Sequence, residues 1–187
     1  MSAGTAENVT TGKRRIDGGM YIAPVGTALP TDASAALANT YKNVGYISED
    51  GIKNSPKRTE QEIKEWGGDV VDSSTQEFSN SWKVKYIESL NVDVLKMCFG
   101  ETNVTTANNK ITTKINSKEL EEHVIVFDMA AKGGKLRRIV IPRGKISEIG
   151  EIVYNAKDPV AYDTTIKTFP DSAGNFQYEY IDPAPSN

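Results

Sequence analysis

The chain carries one histidine and one cysteine in 187 residues, so a Ser-His-Asp or Cys-His site would have to run through His123 or Cys98. His123 opens the apolar run His-Val-Ile-Val-Phe. Cys98 falls in an apolar helical stretch, the setting of a buried structural thiol and not of a thiolate. Glu119 stands four residues before His123, the spacing of two metal ligands on one helix face, within the acidic run Glu119 to Glu122. No second histidine or cysteine completes a ligand set, and the run reads as solvated charge ahead of a strand. Gly133-Gly134-Lys135 resembles the end of a phosphate loop only in part: the upstream glycine is missing, and Leu136 takes the place of the hydroxyl residue. Asn8 and Asn103 each begin an Asn-x-Thr triplet, a pattern common by chance. The many carboxylates lie in polar surroundings that would not raise their pKa for acid-base work. No catalytic residue, metal site or cofactor is expected.

The elements that would have to hold such groups are mostly strands. The composition, 38% hydrophobic and 25% charged, suits one domain with a real core. A formal net charge of −3 and a pI of about 5.3 give no whole-surface attraction to nucleic acid or anionic membrane. One cysteine excludes an intrachain disulfide. With no secretory signal and no apolar run near the roughly 18 residues of a membrane span, a reducing, cytoplasmic place of synthesis is expected.

The chain is organised around Phe78 to Gly100. Its first part alternates, with Phe78, Trp82, Val84 and Tyr86 on one face and Ser79, Ser81, Lys83 and Lys85 on the other; Asn80 is a polar exception on the apolar face. The period then becomes helical through Leu90, Val94, Met97 and Cys98. Ser89 or Asn91 can serve as N-cap, Asp93 sits in the first turn, and Gly100 is available as the C-terminal cap. This helix is apolar over most of its circumference and so must pack across the sheets.

Around it, short strands are expected at Met20 to Val25, Val44 to Ser48, Lys110 to Ile115 and Phe176 to Ile181. Glu49-Asp50-Gly51 reads as a turn, and Ala33 to Asn39 as a brief helical turn capped by Thr31 or Asp32. His123 to Ala131 and Lys135 to Pro142 flank Lys132-Gly133-Gly134 and form the clearest hairpin. Lys145 to Asn155 and Ala161 to Phe169 continue the β pattern. The fold class is therefore mainly β, a β-sandwich or barrel with one flanking α-helix. Met1 to Gly19 reads as a flexible arm, either a loose tail or a segment that orders on a neighbouring subunit; residues 183–187 form a C-terminal tail.

From Ser55 to Ser81 the sequence is strongly polar. Thr59 to Trp66 and Asp69 to Glu77 read as two arms of a hairpin turning at Gly67-Gly68. Too little of it can be buried for it to belong wholly to a monomer's core, and a long polar hairpin that projects from a compact body has a partner.

Two stretches carry a resemblance. MYIAPVGTALPTDASAALANTYKNVGYISEDGI, Met20 to Ile52, and EIKEWGGDVV, Glu62 to Val71, followed by the strand and helix from Trp82 to Gly100, resemble the siphophage major tail proteins, the subunits of the tail tube. The resemblance covers roughly Asp17 to Asp182 and is most specific in Met20 to Gly51. It implies a tube domain over residues 20–182, related in fold to the type VI secretion tube protein, with six subunits to a ring and rings stacked into a hollow tube that conducts phage DNA. It also implies a place in the virion tail after assembly in the host cytoplasm. The partners implied are further copies of the chain, the tail terminator, tail tip and tape measure proteins, and DNA passing without specific binding; no membrane is involved.

On this reading Arg58, Glu60, Glu62, Lys64, Trp66, Gly67 and Gly68 are the candidate inter-subunit contacts, with the arm Ser2 to Gly19 and the loop Gly100 to Lys110 as further ones. A tube that passes DNA must not hold it, and acidic walls let the duplex slide. Glu60, Glu62, Asp69 and Asp72 are the candidate lumen acids, ordinary solvated surface being their other reading. The tube of a tail-like bacteriocin, a gene transfer agent or a type VI system would share these features. A monomeric β-sandwich binding or decoration module is the alternative of a different class; it would need an exposed aromatic patch or an insertion loop, and Trp66 beside Gly67-Gly68 is the one feature that could serve.

Overall fold

A computed structural model describes residues 9–14 and 19–183. Among them eleven strands and one α-helix follow in order. These are β1 (Lys13–Arg14), β2 (Met20–Pro24), β3 (Lys42–Asn43), β4 (Ile47–Lys64), β5 (Val70–Tyr86) and α1 (Val92–Phe99). Then come β6 (Val104–Ala107), β7 (Lys110–Thr113), β8 (His123–Ala130), β9 (Leu136–Ile149), β10 (Tyr162–Phe169) and β11 (Tyr178–Asp182). Apart from the small β6–β7 hairpin, the strands form one antiparallel sheet in the order β3-β2-β8-β9-β10-β5-β4, with β1 added to β8 and β11 to β9.

Strand β9 turns this sheet into two facing layers. Its first part, Leu136 to Val140, pairs with β11, and its second part, Arg143 to Ile149, pairs with β10. The sheet curls so far that Trp82 of β5 meets Phe127 of β8, ring centroids 5.1 Å apart, although two strands separate them in the sheet order. The Tyr86 hydroxyl likewise reaches the Met20 sulfur at 3.5 Å. The core between the layers is filled by Met20, Trp82, Val84, Tyr86, Ile125, Phe127, Ile141 and Ile166, with α1 packed against it.

The helix starts where the cap chemistry predicts. Asn91 Oδ1 accepts hydrogen bonds from the amides of Asp93 and Val94 at 3.0 and 3.4 Å. Gly100, at φ +101°, donates its amide to the Lys96 carbonyl and ends it. Val94, Leu95, Met97, Cys98 and Phe99 are all buried, as an all-round apolar helix requires. Leu90 is exposed because it precedes the cap and takes no part in the stripe.

Several expectations need correction. Gly51 does not end a strand: at φ +68° it forms an irregularity within β4, whose register jumps between Ile47 and Ile52 while the strand runs on to Lys64. Nor do Lys135 to Pro142 and Lys145 to Asn155 form separate strands; β9, Leu136–Ile149, runs through both, and 150–161 is loop. The Thr/Asn-rich stretch Glu101 to Asn109, expected as loop, contains β6, which turns into β7 through Asn108 and Asn109, both at positive φ, the backbone of a tight two-residue hairpin. Ala33 to Asn39 is not helical. Asp32 does cap the amides of Ser34 and Ala35, but Arg138 takes the carbonyls of Asp32 and Ala35 that a helix would use internally.

That arginine anchors the segment. Arg138 Nε and Nη2 bind the Asp128 carboxylate at 2.6 and 2.8 Å in a pair almost wholly shielded from solvent. The segment 27–41 is thereby held over a second apolar cluster of Ala23, Tyr41, Val124, Val126 and Val140, on the face of β8 turned away from the main core. Of the expected N-terminal arm, Lys13 and Arg14 pair with Ala130 and Met129 of β8, and the Arg14 guanidinium lies 4.6 Å from the Tyr46 ring centre. Residues 1–8 and 15–18 lie outside the described residues, as does the tail from residue 184.

Candidate assembly surface

Strands β4 and β5 make one long hairpin with two different ends. At the root, Asn80, Trp82, Val84 and Tyr86 of β5 are buried, and Ser81 to Tyr86 are held on their other side by β10. Asn80, the polar exception of the sequence pattern, is satisfied there. Its Oδ1 accepts from Asn54 Nδ2 at 2.7 Å, its Nδ2 donates to Gln177 Oε1 at 2.9 Å, and its carbonyl accepts from the Thr168 hydroxyl at 3.0 Å. Phe78 is the last packed residue, edge-on to Phe176 at 4.8 Å, with the Arg58 guanidinium 4.7 Å from its ring centre.

Beyond Phe78 the ribbon is alone. Thr59 to Lys64 and Val70 to Glu77 pair only with each other, and every one of these residues is exposed. The Glu65 and Asp69 backbones close the loop through an amide-to-carbonyl bond of 2.9 Å, with Gly68 at φ +96°. Seven residue steps from Lys57 to Lys64 carry the tip roughly 25 Å from the body. A two-stranded ribbon of this kind is marginal in water by itself. It is also not purely polar: Trp66 is fully exposed, and Ile63, Val70 and Val71 are each about half exposed. In addition β4 ends the sheet order, so its outer edge of amides and carbonyls is unpaired among the described residues.

Register assigns each candidate a place. Arg58, Glu60, Glu62 and Lys64 share one face of the ribbon, opposite Phe78, Thr75, Ser73 and Val70. Lys64 Nζ approaches Glu62 at 3.5 Å on that face. Trp66, Gly67, Gly68 and Asp69 form the tip. Asp72 pairs with Ile63 on the reverse face. The seven candidate contacts therefore run the length of the ribbon, from Arg58 at its base to Trp66, Gly67 and Gly68 at the tip, whereas Glu60, Glu62, Asp69 and Asp72 are divided between two faces and the loop.

The chemistry-bearing residues are occupied otherwise. Burial pushes the Cys98 thiol up to about 12, which keeps it protonated and inert. His123 borders a groove of about 550 Å³ with Lys42, Asp93, Lys96 and Glu101. Desolvation lowers its pKa, against the opposing pull of Glu121 and Glu101. Glu119 is not helical and binds Lys145 at 2.5 Å, and Glu122 forks onto Arg143 at 2.7 and 3.1 Å. The acidic run is strapped to β9, not merely solvated.

A model of the family described as phage tail tube protein matches residues 9–185. The chain is a member of that family. No curated protein matches it. The tail tube family is structural and not an enzyme family, its members associate with themselves to build the tube, and the tube belongs to the tail of the virion. No helix among the described residues of this tail tube subunit is long and apolar enough to cross a membrane.

The subunit also has a basic face. The outward face of β4, β5, β10 and β9, reverse to the core, carries Lys53, Lys57, Lys83, Lys85, Lys167 and Lys145. Lys53 stands directly opposite Lys83, and Lys145 directly opposite Lys167. The alternation of Lys83 and Lys85 with serines was legible; that β10 and β9 would bring further lysines beside them depended on pairing between segments about 80 residues apart.

Proposed function

We propose that this subunit polymerises into closed six-membered rings that stack into the hollow tail tube of a siphophage, the conduit through which the DNA passes to the host. The observation that carries the reading is the free ribbon from Thr59 to Glu77. It is long, exposed on both faces and tipped by a bare tryptophan, so its natural environment is another subunit. The open edge of β4 supports the same reading, because pairing it with a neighbour's sheet would remove the edge and close an inner barrel. A ring needs a heterologous contact that closes, and a tube needs a second that stays open. One ribbon reaching roughly 25 Å beyond the body serves either.

Within this reading the tail tip, tape measure and tail terminator proteins are its further partners, and assembly takes place in the host cytoplasm. Arg58, Glu60, Glu62, Lys64, Trp66, Gly67 and Gly68 are the inter-subunit contacts. The fold is related to that of the type VI secretion tube protein, whose rings use the same two kinds of contact.

Electron microscopy of the purified protein across a concentration series tests this, beside a variant in which a short Gly/Ser link replaces Thr59 to Thr75. The wild type is expected to form rings or hollow tubes, alone or on tail-tip components. The variant is expected to remain a monomer whose melting temperature moves by no more than about 2 °C. Tubes from the shortened variant, or no assembly of the wild type even on tail-tip components, would refute the proposal.

A further inference from the structure

The ribbon and the lysine face have opposite charge. Between Arg58 and Glu77 lie six carboxylates, Glu60, Glu62, Glu65, Asp69, Asp72 and Glu77, against two cations, Arg58 and Lys64. On the outward sheet face six lysines meet two carboxylates, Asp163 and Glu148. Lys145 is bound by Glu119, but Lys53, Lys57, Lys83, Lys85 and Lys167 have no carboxylate within ion-pair distance among the described residues. Like charges directly across a sheet ladder destabilise it, and this face holds two such pairs, Lys53 with Lys83 and Lys145 with Lys167. Glu119 already offsets the second pair through Lys145; an anion laid on the face would turn the first into a favourable contact.

We propose that the anion is the acidic ribbon of a second copy of this chain. Glu60 and Glu62 stand two residues apart on one ribbon face, so their side chains leave the strand roughly 6.6 Å apart. Lys83 and Lys85 project from the sheet at that same interval, with Lys53 about 5 Å across from Lys83. The two sets belong to opposite faces of the same ribbon: Glu60 and Glu62 continue the face of Arg58 and Phe78, whereas Lys53 and Lys83 lie on the reverse. They are also separated along it by seven residues or more. A single chain cannot bring them together. Two copies can, by placing the front of one ribbon on the back of the next; the contact is heterologous, and we assign it to the stacking of one ring on another. The inference rests on the tube reading and assigns its propagating contact.

Charge exchange tests it in the full-length protein. Lys83→Glu with Lys85→Glu is expected to raise the concentration needed for tube formation at least tenfold, with the melting temperature moving by no more than about 2 °C, since both side chains are exposed and the repulsion from Lys53 relieved at 83 is set against a new repulsion from Asp163 at 85. Glu60→Lys with Glu62→Lys is expected to do the same, and the four substitutions together to restore tubes. Zero-length carbodiimide cross-linking of mixed heavy- and light-isotope protein is expected to join Lys83 or Lys85 of one copy to Glu60 or Glu62 of another. If the wild type forms tubes but the fourfold exchange does not restore them, or the cross-links go elsewhere, the ribbon-to-face contact is wrong and the tube reading stands. If the lysine variant assembles normally but loses affinity for duplex DNA in an anisotropy titration, the face serves DNA and the proposal falls. A wild type that never assembles, even on tail-tip components, overturns both.

Discussion

The two ends of the β4–β5 hairpin obey the same backbone rules and reach opposite outcomes. Near Tyr86 the ribbon alternates apolar and polar side chains, is flanked by β10 and buries Trp82, Val84 and Tyr86 completely. Beyond Phe78 that alternation is lost: glutamates, glutamines, serines and threonines occupy both faces, Ile63, Val70 and Val71 stand exposed among them, and no third strand joins it. The switch falls at Phe78, where Arg58 and Phe176 close the last aromatic contact. Hydrophobic alternation is the code for a face that folding within one chain will bury. A ribbon that stays paired through two register shifts after losing that alternation presents the kind of surface on which the assembly proposal rests. The polar half is thus as informative about function as the apolar half is about fold.

Substitution at each end sharpens the contrast. The largest effect is expected in the body: Met97, almost fully buried on α1, replaced by Asp places an unpaired charge in the main core at a cost of several kcal/mol. Against a total stability of about 5–15 kcal/mol, circular dichroism should show a protein largely unfolded or melting far below the wild type. A well-folded Met97→Asp protein would remove α1 from the core and with it the distinction drawn here. At the other end, Trp66→Ala should leave the melting temperature within about 2 °C, because the ring touches nothing in the subunit. The same change should raise the critical concentration for assembly about tenfold, the ~1.4 kcal/mol at the lower end for an aromatic anchor at an interface. A Trp66→Ala protein that melts early but assembles normally would reverse the assignment of the two ends.

What could be read from the residues follows the same division. The helix from its Asn91 cap to Gly100, the β8–β9 hairpin at Gly133-Gly134 and the ribbon's turn at Gly67-Gly68 were legible, because each is set by local chemistry within a few residues. Where distant partners decide the outcome, local signals misled. Ala33 to Asn39 has helix-forming alanines and a capping aspartate, yet Arg138, about 100 residues away, claims its carbonyls. The turn signature at Glu49-Asp50-Gly51 becomes an irregularity because Ile47 and Ile52 both have places on β5. The exposed ribbon was legible as a polar hairpin without a core, whereas the lysine face was not, since it exists only once β10 lies between β5 and β9.

The smallest expected effect separates the two ends by pH. His123 begins β8 in the body, partly desolvated beside a groove that also holds Lys42, Asp93, Lys96 and Glu101. Burial lowers its pKa below the ordinary 6.5, although Glu121 and Glu101 pull the other way. The folded protein therefore binds this proton more weakly than the unfolded chain does. From 6.5 down to the lower folded pKa the unfolded state holds more protons, and stability falls as pH drops through that window. His123→Gln should flatten the melting temperature between about pH 7 and 5 relative to the wild type. The variant shortened between Thr59 and Thr75 should keep the wild-type slope, since it retains His123 and its surroundings. If the shortened variant lost the slope and His123→Gln kept it, the acid sensitivity would belong to the ribbon's carboxylates, and the ribbon would be part of the folding unit from which it has been distinguished.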